Sequence, residues 1–205
     1  MKAALLAGGN SKRMGLDKSL LIIEKKTLIE LITLQLLETF EQVIIITNKR
    51  LKPIISNVFN KYLSVNVHED LIPDKGPMGG LYTAFNLIKD DVFFLTACDI
   101  AIINRNTIEL MREFIKDYDV ISPKMKNKYE PMFAFYSRSA FQIVTVNIKE
   151  EKLSMQKLLA ELNTKEVTPE MLNIHQNEEF GSMNTKDEFN TMLPILRKFE
   201  KKYTK

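Results

Sequence analysis

An apolar segment runs directly into a glycine-rich, cationic turn within the first 18 residues of the chain. Residues 3–7 are small and aliphatic, which suits a buried strand. Glycine allows positive φ and lets backbone N–H groups approach a polyanion closely, while cationic side chains supply charge. The turn's glycines and cations are Gly8, Gly9, Gly15, Lys12, Arg13 and Lys18. This arrangement predicts a phosphate-binding loop that follows the first strand.

Two common phosphate-binding motifs do not fit the spacing of this loop. A Walker-type loop requires Gly-x4-Gly-Lys-[Ser/Thr], but Leu16 stands where the lysine should be. A Rossmann fingerprint requires Gly-x-Gly-x-x-Gly, and the adjacent Gly8 and Gly9 do not match it. The loop therefore indicates a phosphate-binding class other than these two.

Composition limits the kind of protein that carries this loop. With 205 residues, 45% of them hydrophobic, the chain can build the core of one α/β domain. The 29 basic and 26 acidic side chains give a net charge of +3, so no broad cationic surface for nucleic acid is expected. No secretory leader or apolar run of membrane-spanning length is apparent, and we expect a cytoplasmic protein without a membrane partner.

Strand and helix patterns alternate over residues 2–99, which predicts a doubly wound, mostly parallel sheet. Continuous apolar runs typical of buried parallel strands occur at 43–47 and 92–97. Capping-box patterns, Thr27 with Glu30 and Thr185 with Glu188, predict the starts of two helices. A helix is expected over 81–89, after a tight backbone feature at 76–80, and the second half is less regular, with strands expected at 120–122 and 132–136.

Polar residues follow the predicted strands where open α/β sheets bind ligands, beyond the carboxyl ends. Besides the glycine loop, these residues are Asn48, Asp70 and Asp99. Asp99 closes a buried strand opposite the loop, and magnesium prefers carboxylates together with substrate phosphates, so Asp99 is the expected metal ligand. Arg13 and Lys18 are expected to offset charge on the phosphates and the leaving group. The 76–80 segment can start a helix. Its glycines, which have no side chain, can also let the base and ribose of a nucleotide lie against the backbone.

The opening loop resembles the LAGGxSxRMGxDK form found in molybdenum cofactor guanylyltransferases of the MobA family. Four later segments resemble that family in the same order: Gly-Pro-Met-Gly-Gly from residue 76, the strand ending in Cys98-Asp99, Glu-Pro-Met-Phe-Ala-Phe-Tyr from residue 130, and the closing 180–187 segment. The resemblance spans nearly the whole chain. It implies a Rossmann-like nucleotidyltransferase fold in one domain, with a nucleotide-binding part at about 1–100 and an acceptor-binding part at about 101–205.

The resemblance also implies roles for individual residues. The expected nucleotide contacts are Leu6, Ala7, Gly8, Gly9, Lys18, Asn48, Asp70, Gly79 and Asp99. Alignment leaves either Thr47 or Asn48 at the nucleotide-binding asparagine of the family. Asn184 matches the second asparagine of the closing motif, on the pterin side. The chain departs from the family at Ile100-Ala101, where Asp-x-Pro is common, and at Ser182, which replaces the first asparagine.

The implied reaction is transfer of GMP from GTP to molybdopterin, with Mg²⁺ as cofactor and pyrophosphate as product. Molybdoenzymes or cofactor-chaperone proteins are the implied protein partners. The alternatives are CMP transfer to molybdopterin, a sugar-phosphate or alditol-phosphate nucleotidyltransferase, and a nucleotide-binding partner protein without catalysis. Nucleotide preference and pyrophosphate release distinguish these alternatives.

Overall fold

An eight-stranded mixed sheet forms the centre of the computed structural model, which describes residues 1–8, 17–125, 127–171, 183 and 185–204. The strands are β1 (Lys2–Leu6), β2 (Ile22–Ile23), β3 (Lys26–Thr27), β4 (Gln42–Thr47), β5 (Val65–Glu69), β6 (Val92–Ala97), β7 (Val120–Met125), β8 (Lys128–Tyr129), β9 (Phe133–Ser137) and β10 (Thr164–Val167). The helices are α1 (Leu28–Leu37), α2 (Lys52–Val58), α3 (Gly76–Leu87), α4 (Arg105–Arg112), α5 (Phe141–Lys149), α6 (Met155–Glu161) and α7 (Lys186–Tyr203).

The main strands lie in the order β10-β7-β9-β6-β1-β4-β5, and β8 pairs with β7 outside this path. Every pairing between neighbours on the path is parallel except those of β9, which runs antiparallel to both β6 and β7. β2 and β3 form a separate hairpin. The predicted doubly wound, mostly parallel sheet is therefore confirmed, with one reversed strand inside it.

Both faces of the sheet are buried, which explains why its central strands β1, β4 and β6 are apolar along most of their length. Along β1, Ala3 and Leu5 face one core cluster, whereas Ala4 and Leu6 face the other. Buried side chains of α1, α2, α4 and α7 join the first cluster, and those of α3, α5 and α6 join the second. No helix among the described residues is long and apolar enough to cross a membrane.

The two predicted capping boxes are present. Thr27 N donates to Glu30 Oε2 at 2.7 Å, and Glu30 N donates back to Thr27 Oγ1 at 3.4 Å. Thr185 and Glu188 repeat this pattern at 2.8 and 3.2 Å, where α7 begins. Because the box satisfies N–H groups that have no partner inside the helix, it fixes where α1 and α7 start.

The prediction for the 76–80 segment was wrong in one respect. These residues do not form a turn before a helix at Leu81, because α3 already begins at Gly76. Pro77 lies in the first turn, where the missing N–H of proline costs nothing. The short strands β2, β3, β8 and β10 were not predicted, because two to four residues are too few to show an alternating pattern.

Candidate active site

The carboxyl ends of β1, β4, β5 and β6 lie along one edge of the sheet, since these strands are parallel. Backbone hydrogen bonds between neighbouring strands continue one residue past the strand ends. These bonds run from Ala7 N to Ile46 O at 2.8 Å, from Asp70 N to Thr47 O at 2.8 Å and from Cys98 N to Leu6 O at 3.0 Å. The residues that begin each loop are therefore held by the sheet itself.

The backbone after β1 is held further by the end of β4. Thr47 Oγ1 donates to Ala7 O at 2.9 Å, and the Thr47 side chain is buried. Asn48 Oδ1 accepts from Leu51 N at 2.9 Å and thereby caps the turn before α2. A Cβ at Gly8 would lie 3.4 Å from Asn48 N, an ordinary contact. Both candidates for the nucleotide-binding position thus support local backbone, and their contact with nucleotide stays a prediction.

Asp70 connects the loop after β5 to helix α3. Its Oδ1 accepts from Thr83 Oγ1 at 2.6 Å and from Ile72 N at 3.1 Å. Leu71 N in turn donates to Thr83 Oγ1 at 3.0 Å. These bonds engage one oxygen of the carboxylate, while Asp70 Oδ2 lies 3.4 Å from the position that a Cβ at Gly79 would take.

Two glycines of α3 allow close packing at this edge. A Cβ at Gly79 would lie 2.7 Å from the backbone oxygen of Ile72, and a Cβ at Gly80 would lie 2.5 Å from Leu6 Cδ1. Neither distance is possible without movement of the neighbouring atoms. The protein therefore needs glycine at 79 for its own packing, and the predicted nucleotide contact at Gly79 is not required to explain the residue.

We expect Gly79→Ala to lower the thermal midpoint by roughly 3–6 °C, corresponding to about 1–2 kcal/mol for a chain of this size. Overlap with a backbone carbonyl, which cannot rotate away, costs about 2–3 kcal/mol at the upper end of overpacking, and the gain in helix propensity of about 1 kcal/mol offsets part of that cost. Gly8→Ala is the control, because its new methyl group would come no closer than 3.4 Å to the neighbouring described atoms. A Gly79→Ala midpoint equal to that of wild type in scanning calorimetry would contradict this account of the packing.

Lys18 lies where the glycine loop rejoins the described structure. Asp17, the residue before Lys18, accepts two hydrogen bonds from Arg50, both at 2.8 Å. A 3₁₀ turn spans Lys18–Leu20. Burial lowers the pKa of Lys18, and the carboxylates of Asp99 and Glu188 oppose that effect. The predicted phosphate-binding lysine is thus near the predicted metal ligand.

Asp99 follows β6 and is partly buried. Burial raises its pKa, and the nearby charge of Lys18 acts in the opposite direction. Its Oδ1 atom is buried and makes no hydrogen bond with any described residue. Such an oxygen fits a hard cation such as Mg²⁺, which accepts one or two carboxylates alongside phosphate and water. Within the described ranges, no three acidic, histidine or cysteine side chains form a group able to hold a metal.

The segment after Asp99 is held by a buried side chain of α1. Gln35 Nε2 donates to Ala101 O at 3.0 Å, and Gln35 Oε1 accepts from Ile103 N at 3.0 Å. The carbonyl of Asp99 itself accepts from Met183 N at 3.0 Å. These bonds fix the backbone at the position where the family that the sequence resembles commonly carries proline.

Glu130 is a site residue that the sequence reasoning missed. It immediately precedes the turn into β9, and because β9 runs antiparallel to β6, the beginning of β9 meets the end of β6. Burial raises the pKa of Glu130 to about 7, with a further contribution from the charge of Asp99. The sequence prediction considered only residues beyond the carboxyl ends of strands. Glu130 lies at the amino end of a reversed strand and was therefore not predicted.

Some predicted residues lie outside the described part of the chain. They are Gly9, Lys12, Arg13, Gly15, Ser182 and Asn184. Of the others, Leu6, Ala7, Gly8, Lys18, Asn48, Asp70, Gly79 and Asp99 all lie on the same edge or on α3 beside it. Their contacts with nucleotide, acceptor or metal stay predictions.

Comparison with known proteins places this geometry among nucleotidyltransferases. A family model described as the MobA-like NTP transferase domain matches residues 3–167. A protein of Clostridium perfringens named probable molybdenum cofactor guanylyltransferase is 30% identical over 196 residues, which cover 93% of this chain and 95% of that protein. A Flavobacterium johnsoniae protein of the same name is 30% identical over 191 residues, covering 92% and 94% of the two chains.

The fold is also found in solved structures. The crystal structure of molybdopterin-guanine dinucleotide biosynthesis protein A from Archaeoglobus fulgidus superposes with a TM-score of 0.78. The two proteins are 23% identical, and the match covers 98% of this chain and 100% of the other. At that identity the likeness supports the Rossmann-like nucleotidyltransferase fold alone.

Proposed function

The chain belongs to the MobA-like NTP transferase family of nucleotidyltransferases, and on that premise we propose that it transfers GMP from GTP to molybdopterin. The observation that carries this proposal is the Oδ1 atom of Asp99, which is buried near Lys18 without a hydrogen-bond partner among the described residues, at the edge where β1 runs into the glycine-rich loop. The names of the relatives from Clostridium perfringens and Flavobacterium johnsoniae favour guanine nucleotide and molybdenum cofactor as substrates.

We assign the nucleotide to the part of the chain at about 1–100 and the acceptor to the part at about 101–205. Leu6, Ala7 and Gly8 would contact the nucleotide, where a glycine leaves space for close approach. Asp70 would orient it from the loop before α3. Asn184, in the closing segment, would contact the pterin.

The chemistry needs positioning and charge neutralisation more than proton transfer. A phosphate oxygen of molybdopterin forms a bond to the α-phosphorus of GTP, while the bond to the β-phosphate oxygen breaks and pyrophosphate leaves. That acceptor phosphate is already ionised at neutral pH, so no general base is needed. Lys18 and Arg13 would offset negative charge on the phosphates, and such fixed cations stabilise transition states strongly. Asp99 would hold Mg²⁺, which when bound supplies positive charge against the triphosphate.

Thermal unfolding with magnesium and GTP, CTP, UTP or ATP tests the choice of nucleotide. A ligand at about 100 times its dissociation constant adds roughly 2.7 kcal/mol to folding stability, which raises the midpoint of a chain this size by roughly 5–10 °C. We expect this rise with GTP and little change with the others. A rise only with CTP or UTP would overturn the guanylyl assignment but keep nucleotidyl transfer.

Pyrophosphate release tests the acceptor. We expect release that requires both GTP and molybdopterin, measured with a coupled pyrophosphatase assay. Release with a sugar phosphate or an alditol phosphate in place of molybdopterin would redirect the proposal to those substrates. The absence of both a nucleotide shift and release would contradict catalysis by this chain.

A further inference from the structure

We propose that Lys124, Tyr129 and Glu166 form the part of the acceptor site that binds the pterin ring, and so help to determine which acceptor the protein takes. The inference deepens the proposed function and rests on its assignment of molybdopterin as the acceptor. The sequence reasoning gave none of these three residues a role. Their position in the sheet, their contacts with one another and their combined charge support the proposal.

The three residues lie at the same edge of the sheet as the predicted nucleotide contacts. β7 runs parallel to β6, because both are antiparallel to β9, and β10 is parallel to β7. Lys124 and Glu166 lie near the carboxyl ends of β7 and β10, and Tyr129 on β8 is the partner of Lys124. Open α/β sheets bind ligands beyond these ends. The cluster is therefore on the ligand edge, within the part of the chain proposed for the acceptor.

The three side chains contact one another and are held in place by their neighbours. Glu166 Oε1 accepts from Tyr129 OH at 2.8 Å and also pairs with Lys124 Nζ. Lys124 Nζ lies 5.0 Å from the centre of the Tyr129 ring. The Gln156 side chain of α6 accepts from Tyr129 N at 3.1 Å and donates to Tyr129 O at 2.8 Å. The cluster is thus fixed from β10, β8 and α6.

The same side chains keep hydrogen-bonding capacity that no described residue uses. Both bonds to Glu166 engage Oε1, which leaves Oε2 without a partner in the described part of the chain. Lys124 uses one of its three N–H donors there. The side chains are accessible, with exposed fractions of 26% for Lys124 and 42% for Glu166. The cluster therefore presents an acceptor oxygen next to N–H donors.

The charge of the cluster favours a ring over a phosphate. Lys124 and Glu166 neutralise each other, and the carboxylate would repel a phosphate placed beside it. The pyrimidine part of a pterin instead carries an amino group and an oxo group on one edge. Glu166 Oε2 would accept from the 2-amino group, and Lys124 would donate to the 4-oxo group. The two ends of the acceptor would thus be distinguished by the charge they meet.

The distance from Asp99 agrees with this orientation. One strand, β9, separates β6 from β7, and neighbouring strands lie about 4.8 Å apart. The end of β7 is therefore about 10 Å from the end of β6, where the acceptor phosphate would meet GTP. The ring and the phosphate lie at opposite ends of molybdopterin. An acceptor that reacts beside Asp99 would extend its ring towards Lys124.

Binding of two pteridines without nucleotide tests the cluster directly. The probes are 6-hydroxymethylpterin and its 2-oxo analogue, 6-hydroxymethyllumazine, each followed by its own fluorescence. Wild type should bind the pterin at least about tenfold more tightly, because the analogue replaces a hydrogen bond to the Glu166 carboxylate with repulsion. Glu166→Gln should remove this preference, since an amide can turn its NH₂ group towards an oxo group. A residue with a purely structural role would not change the preference between the two probes.

Lys124→Met tests the other half of the cluster. It should weaken binding of the pterin at least about tenfold, because a charged donor is lost. Lys128→Met is the matched control. Lys128 is exposed on β8 next to Tyr129, and neighbouring residues of a strand point to opposite faces. The control removes the same charge from the same hairpin and should change the dissociation constant less than about twofold.

The same variants should raise KM for molybdopterin and leave KM for GTP at the wild-type value. Equal affinity of wild type for the two pteridines, or a preference retained by Glu166→Gln, would overturn the inference. Should Lys124→Met fail to fold, Glu166→Gln decides alone. Stabilisation by GTP tests the nucleotide assignment separately. A protein that GTP stabilises but that shows no pterin preference would overturn only the inference, and a pterin preference without stabilisation by GTP would overturn only the guanylyl assignment.

Discussion

Asp99→Asn will abolish pyrophosphate release and leave the metal-free protein at least as stable as wild type. The amide keeps the size of the side chain but removes the charge that would bind the cation, and losing one such electrostatic contribution costs roughly 100- to 1,000-fold in rate. Burial raises the pKa of Asp99, so the ionised form opposes folding above the ordinary pKa of the residue. Asparagine removes that cost at neutral pH.

Pyrophosphate release with GTP and molybdopterin measures the loss of activity. Calorimetry in EDTA measures the stability of the metal-free protein. The gain in stability should fade as the pH falls from the raised pKa of Asp99 towards the ordinary pKa of aspartate, below which the wild-type carboxyl is neutral in both folded and unfolded states. Asp90→Asn is the matched control, because Asp90 accepts from Lys2 at 2.8 Å at the opposite edge of the sheet. An active Asp99→Asn enzyme would remove the metal role from this residue.

Lys18→Met will lower the rate of pyrophosphate release by roughly 100- to 1,000-fold, because it removes the cation that we propose offsets charge on the reacting phosphates. The partial burial of Lys18 strengthens this expectation, since a charge shielded from water interacts more strongly with its neighbours. The effect should appear in kcat as well as in KM for GTP, because charge on the leaving pyrophosphate develops during the reaction.

Lys25→Met is the control for this change. Lys25 is exposed in the turn between β2 and β3, close in sequence but directed to solvent. It should retain wild-type turnover. A Lys18→Met protein that lost affinity for GTP yet kept the wild-type kcat would show that Lys18 binds the nucleotide equally in the ground and transition states. The proposed role in stabilising the leaving group would then be wrong.

The sequence predicted the strands of the nucleotide-binding half because their burial on both faces leaves a continuous apolar pattern. Val43–Thr47 lies within β4, and Val92–Ala97 is β6 at the predicted bounds. The position of Asp99 at the ligand edge follows from the same pattern. Glu130 could not be found in this way, since its location depends on the direction of β9, and an apolar run does not reveal direction.

The roles of Asp70 and Gly79 show a second limit on prediction from sequence. Both were expected to contact the nucleotide, yet both have a reason to be present within the protein itself. Asp70 accepts a hydrogen bond from Thr83, and Gly79 leaves space for the carbonyl of Ile72. A ligand contact and an internal contact can require the same residue type, so the sequence pattern alone does not distinguish them.

Gln35 has a consequence for the exchange of loops between relatives. The turn after Asp99 lacks the proline common in the family that it resembles, and a glutamine 66 residues away from Ala101 in sequence holds that turn through two hydrogen bonds. A proline ring would restrict the backbone of this turn directly, whereas here hydrogen bonds from Gln35 on helix α1 restrict it. A chimaera that grafted a turn of different backbone geometry onto this scaffold would leave the buried amide of Gln35 with only its bond to Leu31 O in α1. The transferable unit is therefore discontinuous and consists of the turn together with its glutamine.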